Sequence, residues 1–181
     1  MSIKMDTYKL NWTALQGEIF SLLCARTGEK LSQREIAGLL KVSPTAVANS
    51  LKNLKVFVKV EKTKTINFVS FNRDEPKAVD LKRVENLKSV YLSGLSSYLH
   101  NELAGSTIIL FGSYSRGEDT VASDIDVAVV GRKDKLLLLE PYEKTLNRKI
   151  NVNFYSAWKD IDVHLKNNIL NGILLHGSVE L

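Results

Sequence analysis

The sequence predicts an α+β protein of two domains, in which a small helical domain ending in a β-hairpin precedes a mixed sheet with helices packed on it. Between residues 12 and 54, apolar residues recur at helical spacing, and from 56 to 71 they alternate as in strands. After residue 105, apolar β-branched runs alternate with helical segments. Charge divides the chain in the same way, because residues 1–100 carry a net +7 and residues 101–181 a net −2.

The first helix is predicted over residues 12–26, with Gly28 as its C-terminal stop. Its apolar residues fall on one face, which would pack on the remainder of the domain. These residues are Leu15, Ile19, Leu22 and Leu23.

Two shorter helices follow, and each has its own start signal. Ser32 with Glu35 three residues later forms a capping box. Ser43-Pro44 gives the next helix an N-cap residue and a proline at its first position. Two helices separated by a tight turn predict a helix-turn-helix motif. Alternating strands over 56–60 and 66–71, with a polar turn between them, predict a hairpin after it.

The segment SQREIAGLLKVSPTAVANSLKNL, followed by this hairpin, resembles the winged helix-turn-helix of bacterial and archaeal regulators. The resemblance implies that the third helix enters the major groove of double-stranded DNA and that the wing follows the phosphate backbone. The basic N-terminal half also favours a polyanionic partner. A winged helix used only for protein contacts is the alternative. The residues implied in DNA binding are Thr45, Asn49, Lys52, Asn53, Lys62 and Lys64.

A helical linker is predicted over 76–104, between the winged helix-turn-helix at 1–75 and a second domain at 105–181. The helical pattern runs from Lys77 to Leu103, although Gly94 weakens it. An apolar stripe on this helix either packs on both domains or pairs with a second copy of the chain in a homodimer. The stripe consists of Val84, Leu87, Tyr91 and Tyr98.

The most informative motif begins with Gly112-Ser113, which follows an apolar β-branched run, and ends ten residues later with Asp124-Ile125-Asp126. In a strand, residues i and i+2 share a face, so both carboxylates point to one side. A Gly-Ser turn leading into a helix offers N–H groups and a hydroxyl to a phosphate. Two convergent carboxylates suit the divalent cations that bridge phosphates. The alternative, two solvated acids after a surface turn, leaves their mutual repulsion unexplained.

This motif, Gly-Ser followed after ten residues by Asp-x-Asp, resembles that of the DNA polymerase β-like nucleotidyltransferase superfamily, in particular of its minimal members. The resemblance covers less than half of the chain. The resemblance implies a small nucleotidyltransferase fold. It also implies that Asp124 and Asp126 are catalytic and bind Mg²⁺ or Mn²⁺, and that Gly112, Ser113 and Arg116 bind an NTP, which we take to be ATP. Arg116 is equally well explained as a solvated turn residue.

The third carboxylate, which the family places on a later strand, is missing. The corresponding strand is predicted over 149–155, and Asn151 is the position that aligns. An Asn gives a carbonyl oxygen to a cation, but it carries no charge and cannot take a proton from an attacking hydroxyl. We therefore expect Asn151 at the metal site as a neutral ligand. The nearest later acids, Asp160 and Asp162, are predicted on the solvated face of a helix.

Two functions remain open from the sequence. In the first, the protein transfers a nucleoside monophosphate from an NTP to the hydroxyl of a protein, a nucleic acid or a small molecule. Some small family members adenylylate a partner toxin and act as antitoxins, so the resemblance allows a toxin as partner. In the second, the protein is a DNA-binding transcriptional regulator whose nucleotidyltransferase-like domain senses nucleotide or is inactive.

The composition favours a soluble cytoplasmic protein. The longest wholly apolar runs are four residues, far short of a membrane span, and the N-terminus has no apolar core of a signal peptide. The single cysteine, Cys24, is expected to be a small buried hydrophobic residue.

Overall fold

The computed structural model of the protein describes residues 11–180. From residue 11 to residue 71, the structure contains three helices and a three-stranded antiparallel sheet whose middle strand is Asn67–Phe71. This element order and sheet are those of a winged helix-turn-helix, as the sequence predicts. The elements are α1 (Ala14–Ala25), β1 (Leu31–Ser32), α2 (Gln33–Leu40), α3 (Pro44–Leu51), β2 (Val58–Lys62) and β3 (Asn67–Phe71).

The predicted start signals of α2 and α3 are confirmed. Ser32 Oγ accepts a hydrogen bond from the Glu35 backbone N–H, and the Ser32 N–H donates in return to the Glu35 carboxylate. Ser43 Oγ accepts from the N–H of Ala46, with Pro44 at the first helical position. The first helix has a reciprocal cap between Thr13 and Gln16 that the sequence pattern did not reveal.

The C-terminal half is a four-stranded mixed sheet in the order β6-β5-β4-β7, with β5 and β6 parallel and the other pairs antiparallel. Apolar clusters cover both faces of this sheet. The elements are α4 (Pro76–Leu92), α5 (Leu95–Glu102), β4 (Thr107–Phe111), α6 (Gly112–Arg116), β5 (Ile125–Val130), α7 (Glu140–Leu146), β6 (Ile150–Tyr155), a 3₁₀ turn (Trp158–Asp160), α8 (Val163–Leu170) and β7 (Ile173–His176).

The helical pattern from Lys77 to Leu103 forms two helices, and the break falls at the glycine that weakens the pattern. The first of them ends at Leu92, Gly94 adopts a left-handed conformation with φ +80°, and the second begins at Leu95. Glycine takes this conformation without the steric cost that a Cβ brings. The chain therefore leaves the helical conformation at Gly94.

Of the two alternatives for the apolar stripe, packing on both domains is wrong for Val84 and Tyr91, whereas pairing with a second copy of the chain stays a prediction. Val84 and Tyr91 from the predicted apolar stripe are 60% and 50% exposed. The helix instead buries four residues spaced by four, of which the middle two are polar. Packing against both domains selects this other face. The buried residues are Ala78, Lys82, Asn86 and Val90.

A buried polar network occupies the middle of the buried face of α4. Lys82 is fully buried and forms an ion pair with Asp119, and its Nζ also donates to the Asp119 carbonyl oxygen at 3.0 Å. Asn86 Nδ2 donates to the carbonyl of Tyr114 at 2.8 Å and to Asp119 Oδ1 at 2.7 Å. Burial lowers the pKa of Lys82, and the charge of Asp119 opposes that shift. The network ties α4 to the loop that precedes β5.

The same loop reaches the winged helix. The Val121 N–H donates to the Thr27 carbonyl at 2.9 Å, and the Arg148 guanidinium donates to the Ala25 carbonyl at 2.8 Å. Both acceptors lie at the C-terminal end of α1. The two halves of the chain therefore share hydrogen bonds as well as the helix α4.

Two further expectations concern the environment of Cys24 and the absence of long apolar segments. Cys24 is 2% exposed, as predicted, and burial raises the pKa of its thiol well above the ordinary value. Over residues 11–180, no helix has both the length and the apolar character that a membrane crossing requires.

We expect Lys82→Met to lower the free energy of unfolding by about 3–5 kcal/mol, because it leaves the buried Asp119 carboxylate without its counter-ion. Denaturant unfolding measures this change. The control is Lys77→Met on the exposed side of the same helix, which should stay within about 0.5 kcal/mol of the wild type. Equal effects of the two substitutions would contradict a buried ion pair.

Candidate active site

The predicted site residues meet at one end of the C-terminal sheet. Strand β4 ends there, whereas β5 and β6 begin there. Asp126 pairs in register with Phe111 on one side and with Asn151 on the other. The Gly-Ser turn, the two acids and Asn151 therefore lie on three adjacent strands.

Gly112 is required where the Gly-Ser turn approaches the acids. Its φ is +76°, and a Cβ on this residue would lie 2.7 Å from Asp126 Oδ2. A side chain would thus add backbone strain and displace the carboxylate. The short helix α6 starts here, and no side chain of the described residues caps its first N–H groups. Ser115 Oγ donates to the Gly112 carbonyl at 2.9 Å and fixes the turn.

Asn151 connects the two carboxylates. Its Nδ2 donates to Asp124 Oδ2 at 3.1 Å and to Asp126 Oδ1 at 3.3 Å. The side chains of all three residues therefore converge, as the strand alignment predicts. The two acids repel each other less while one amide group donates to both.

On the sheet face that carries the acids, the end with the acids is open to solvent. Ile125 and Val127 point to the opposite face and are fully buried. Ala128 and Val130 share the face of the acids, but α8 and the 3₁₀ turn cover them. Asp124 is exposed and Asp126 is partly exposed, so solvent reaches the pair.

The turn before Asp124 is fixed by local hydrogen bonds and by the winged helix. The Thr120 N–H donates to Ser123 Oγ at 3.0 Å, and the neighbouring Val121 N–H donates to Thr27. The position of Asp124 thus depends on contacts outside the sheet.

Arg116 lies one turn beyond Ser113 but does not point freely into solvent. Its Nε donates to Glu118 Oε2 at 2.8 Å, and its Nη1 donates to Asn168 Oδ1 at 3.0 Å. The second of these bonds ties α6 to α8. A phosphate on Arg116 would have to compete with both oxygens or share the guanidinium with them.

Asp160 and Asp162 are exposed, as predicted, but the single helix predicted around them is wrong. Both acids cap helical turns, because Asp160 accepts from the Ala157 N–H and Asp162 accepts from the His164 N–H. The predicted single helix divides into a 3₁₀ turn and α8 at this point. Neither acid replaces the missing third carboxylate, since the structure places Asn151 beside the pair.

A cleft of about 520 Å³ adjoins Asp124 on the side of β6. Glu143 stands in its wall and accepts from the Ile150 N–H at 3.0 Å, and this hydrogen bond is the main cause that lowers the pKa of Glu143. The sequence pattern gave no signal for Glu143, because α7 brings it to β6 only in the fold. The cleft is lined by Val121, Ala122, Ser123, Asp124, Glu140, Glu143, Lys144, Asn147, Arg148 and Lys149.

Within the described part of the chain, no group of three or more His, Cys, Asp or Glu side chains is placed to hold a metal ion. A cation at this site would find two carboxylates and the neutral amide of Asn151. The site thus carries one negative charge fewer than a site with three carboxylates.

The residues implied in DNA binding are all on the surface of the winged helix. Thr45 and Asn49 lie on α3, and Lys52 and Asn53 follow its end. Lys62 closes β2 and Lys64 lies in the wing turn. All six are exposed.

Comparison with known proteins assigns the class of the C-terminal part. Residues 92–176 match the family model described as "Nucleotidyltransferase domain", and this range contains the Gly-Ser turn, both acids and Asn151. The C-terminal part of the chain is a nucleotidyltransferase domain.

A curated relative from Methanocaldococcus jannaschii, provisionally named a protein adenylyltransferase, is 42% identical over 65 residues. The match covers 26% of this chain and 65% of the relative, so it spans just under two thirds of the relative's length.

Solved structures similar to part of the chain include ZitR of Lactococcus lactis and MepR of S. aureus in complex with DNA. A point mutant of ZitR is 23% identical with a TM-score of 0.39, over 53% of this chain and 65% of that one. MepR is 19% identical with a TM-score of 0.36, over 51% of this chain and 79% of that one. The winged-helix assignment rests on the chain's own element order and sheet.

We expect Gly112→Ala to weaken Mn²⁺ binding, because the new Cβ would displace the Asp126 carboxylate. Gly105→Ala is a matched control, since Gly105 has φ +81° but open space around its Cβ position. Each substitution should cost about 1–2 kcal/mol of stability from the left-handed backbone, which denaturant unfolding measures. Electron paramagnetic resonance of Mn²⁺ should show weaker binding only for Gly112→Ala, and equal binding by both variants would contradict the geometry.

We expect Asn151→Asp to destabilise the metal-free protein by about 1–3 kcal/mol, because it replaces two hydrogen bonds to carboxylates by charge repulsion. Added Mg²⁺ should restore the melting temperature. Asn153→Asp is the control, since Asn153 lies two residues along the strand and pairs with Ala128. A melting temperature of Asn151→Asp that stays at the wild-type value with and without Mg²⁺ would be inconsistent with this placement.

Proposed function

We propose that the protein transfers a nucleoside monophosphate from an NTP, with ATP as the donor, to the hydroxyl of an acceptor. The observation that carries the proposal is the convergence of Asp124, Asp126 and Asn151 beside Gly112 in a nucleotidyltransferase domain. A scaffold role alone would give no reason to keep two acids side by side.

The donor set fits Mg²⁺ or Mn²⁺, because both cations prefer hard oxygen ligands. Asp124 and Asp126 would hold the ion, and Asn151 could turn its amide to present Oδ1 in place of Nδ2. Such an ion, when bound, neutralises phosphate charge and stabilises the transition state. Because the protein supplies only two charges, the phosphates of the nucleotide would contribute much of the remaining ligand set.

The residues around the acids would bind the phosphates of the nucleotide and align the acceptor hydroxyl with the α-phosphorus. The uncapped N–H groups at the start of α6 and the Ser113 hydroxyl would hold phosphate oxygens. An acceptor hydroxyl would attack the α-phosphorus in line, the bond to the β-phosphate would break, and pyrophosphate would leave. Asn151 cannot accept the hydroxyl proton. That proton would pass to the exposed Asp124 carboxylate or to water.

The relative provisionally named a protein adenylyltransferase favours a protein acceptor. The cleft beside Asp124 is lined by acidic and basic side chains in equal measure, which suits a polypeptide better than a polyanion. We therefore propose a protein Tyr, Ser or Thr as the acceptor. A partner toxin would be one such protein, and transfer to it would give this chain an antitoxin role.

The test incubates the protein with Mg²⁺, a cell extract and α-labelled ATP, GTP, CTP or UTP in turn, and follows label on macromolecules. We expect Asp126→Ala to reduce transfer by roughly 100-fold or more, because it removes a ligand that aligns the reacting groups. Asp134→Ala is the control, since Asp134 is exposed in the loop that follows the opposite end of β5 from the site. Absence of label transfer by the wild type with every NTP would contradict the proposed activity.

A second candidate function is DNA binding by the winged helix. The exposed residues of α3 and the wing support it, as does the +7 charge of the first hundred residues. Within residues 11–180, Lys62 and Lys64 form no ion pair, whereas Lys59 is paired with Asp74. Free lysines on a wing are available for phosphates.

We expect the protein to bind double-stranded DNA with an affinity that falls steeply as salt rises, because phosphate contacts release counterions. Lys62→Glu combined with Lys64→Glu should weaken binding to all sequences alike. The control reverses the same number of charges on the other domain, with Lys133→Glu and Lys159→Glu. Fluorescence anisotropy measures all of these. If neither a gel shift nor an anisotropy change is seen even at low salt, the winged helix is a protein-contact module instead.

A further inference from the structure

Strand β6 lies at one edge of the C-terminal sheet, because the order β6-β5-β4-β7 gives it β5 as its single neighbour. The Ile125 N–H donates to the Lys149 carbonyl, and the Gly131 N–H donates to the Tyr155 carbonyl. Since backbone groups alternate in direction along a strand, every second residue of β6, beginning with Asn151, turns its N–H and C=O towards β5. The residues between them turn theirs outward. These outward-facing residues, the outer edge of β6, are Ile150, Val152 and Phe154.

Most of this outer edge is free. Glu143 Oε1 accepts the Ile150 N–H at 3.0 Å. Within residues 11–180, no other hydrogen bond reaches the outward backbone groups of β6. The Ile150 carbonyl and both backbone groups of Val152 and Phe154 are therefore available to a partner. Glu143 ends the free part of the edge beside Asn151, which donates to both acids.

The other edge strands of the two sheets are protected against such a partner, whereas β6 is not. Charged residues and short length are the usual protection, because a free edge pairs readily with another chain. Strands β1 and β7 are two and four residues long, and β2 carries three charged residues in VKVEK. Strand β6 has six residues, INVNFY, without a charge, a proline or a glycine. Its β-branched and aromatic residues favour a strand that accepts a further strand.

The chemistry of the outer edge identifies the kind of partner. Alternating N–H and C=O groups at the strand repeat are complementary to the backbone of another extended polypeptide. A nucleic acid offers phosphates instead of this repeat. The free groups belong to only three residues, so an added strand would bury far less than the roughly 1,200 Å² of a stable protein–protein interface. A short segment that binds and leaves again fits this edge better than a permanent second copy of the chain.

We propose that the outer edge of β6 binds an extended segment of the acceptor protein as an added strand. The inference rests on the proposed function, because it describes how the acceptor of that reaction reaches the site. Residues that face each other on neighbouring strands point to the same side of the sheet. The acceptor residue that pairs with Asn151 therefore points to the side of the acids, about one strand spacing of 4.8 Å from Asn151. Its hydroxyl approaches the acid pair from the side of β6.

This mode of binding defines the class of substrate. Backbone hydrogen bonds supply the affinity, so the acceptor hydroxyl lies in an exposed extended segment or a chain terminus, and not on a helix. Glu143 occupies the Ile150 N–H and prevents pairing beyond it. The added segment is thereby held in a register that ends next to the acids.

The first experiment uses Val152→Pro in the label-transfer assay. The substitution removes an outward N–H and places a ring on the outer edge, but it leaves the hydrogen bonds to β5 intact, as proline on an edge strand does. We expect label on proteins to fall by about tenfold or more. Val152→Ala is the matched control, since it keeps the N–H, and it should keep the transfer. Both variants should bind Mg²⁺ and α,β-methylene-ATP like the wild type. Transfer by Val152→Pro at the wild-type rate would overturn the proposal.

The second experiment follows amide hydrogen exchange of the wild type by nuclear magnetic resonance, so it decides even if Val152→Pro does not fold. In the free protein, the amides of Val152 and Phe154 should exchange much faster than those of Asn153 and Tyr155. A short peptide of alternating threonine and valine around a central tyrosine, at millimolar concentration, should slow Val152 and Phe154 by about tenfold or more. The same peptide with alternate amides N-methylated should have no effect. Unchanged exchange of these two amides with the first peptide contradicts strand addition.

The outcomes separate this inference from the proposed function. Label transfer that is equal in the wild type and Val152→Pro overturns only the added strand. If no NTP gives label transfer while the peptide protects the outer edge, the transferase proposal fails and the edge remains a peptide-binding site. A wild type that is dimeric by light scattering, together with a monomeric Val152→Pro, would show that a second copy occupies the edge and would overturn the proposed acceptor there.

Discussion

The ion pair between Lys82 and Asp119 is the interaction on which the arrangement of the two halves depends. The pair is fully buried, and Asn86, on the same helix as Lys82, also donates a hydrogen bond to the Asp119 carboxylate. Burying two charges is costly, and only close pairing with additional hydrogen bonds compensates for that cost. The pair is therefore a poor source of stability but a strong constraint on geometry. Any other rotation or register of α4 would leave one of the two charges buried without a partner.

This constraint extends to the candidate active-site residues. Asp119 begins the loop whose end is Asp124, and the loop is held by α4 on one side and by the carbonyl of Thr27 on the other. The nucleotidyltransferase family match begins at residue 92, after Lys82 and Asn86. In this chain, residues outside the matched range thus help to place the acid pair. The helix between the domains is a structural part of both of them.

In the site, the Gly-Ser turn lies close to one acid, and the three converging side chains carry less negative charge than three carboxylates would. Gly112 allows the Asp126 carboxylate to lie against the Gly-Ser turn, which is where phosphate and cation would have to meet. Asn151, at the position where the family resemblance implies an acid, donates to both carboxylates through one nitrogen. A neutral third residue lowers the repulsion in the metal-free state, and it also lowers cation affinity. An enzyme with such a site would depend more on the charge of its nucleotide to retain the metal.

The amino-acid sequence by itself determined the two-domain α+β fold, the capped helices of the winged helix and the position of Asn151 beside the acids. These features rest on local rules, since capping boxes, strand alternation and the Gly-Ser turn act over a few residues, and strand order needs only the register of neighbours. Tertiary structure alone decided which face of α4 is buried and the positions of Glu143 and Arg148. Apolar periodicity indicated the Val84 stripe, but it cannot foresee that Lys82 and Asn86 find polar partners on a loop more than thirty residues away. A buried polar residue looks solvated in the sequence until the fold supplies its partner, and this is why the junction between the domains could be read only from the structure.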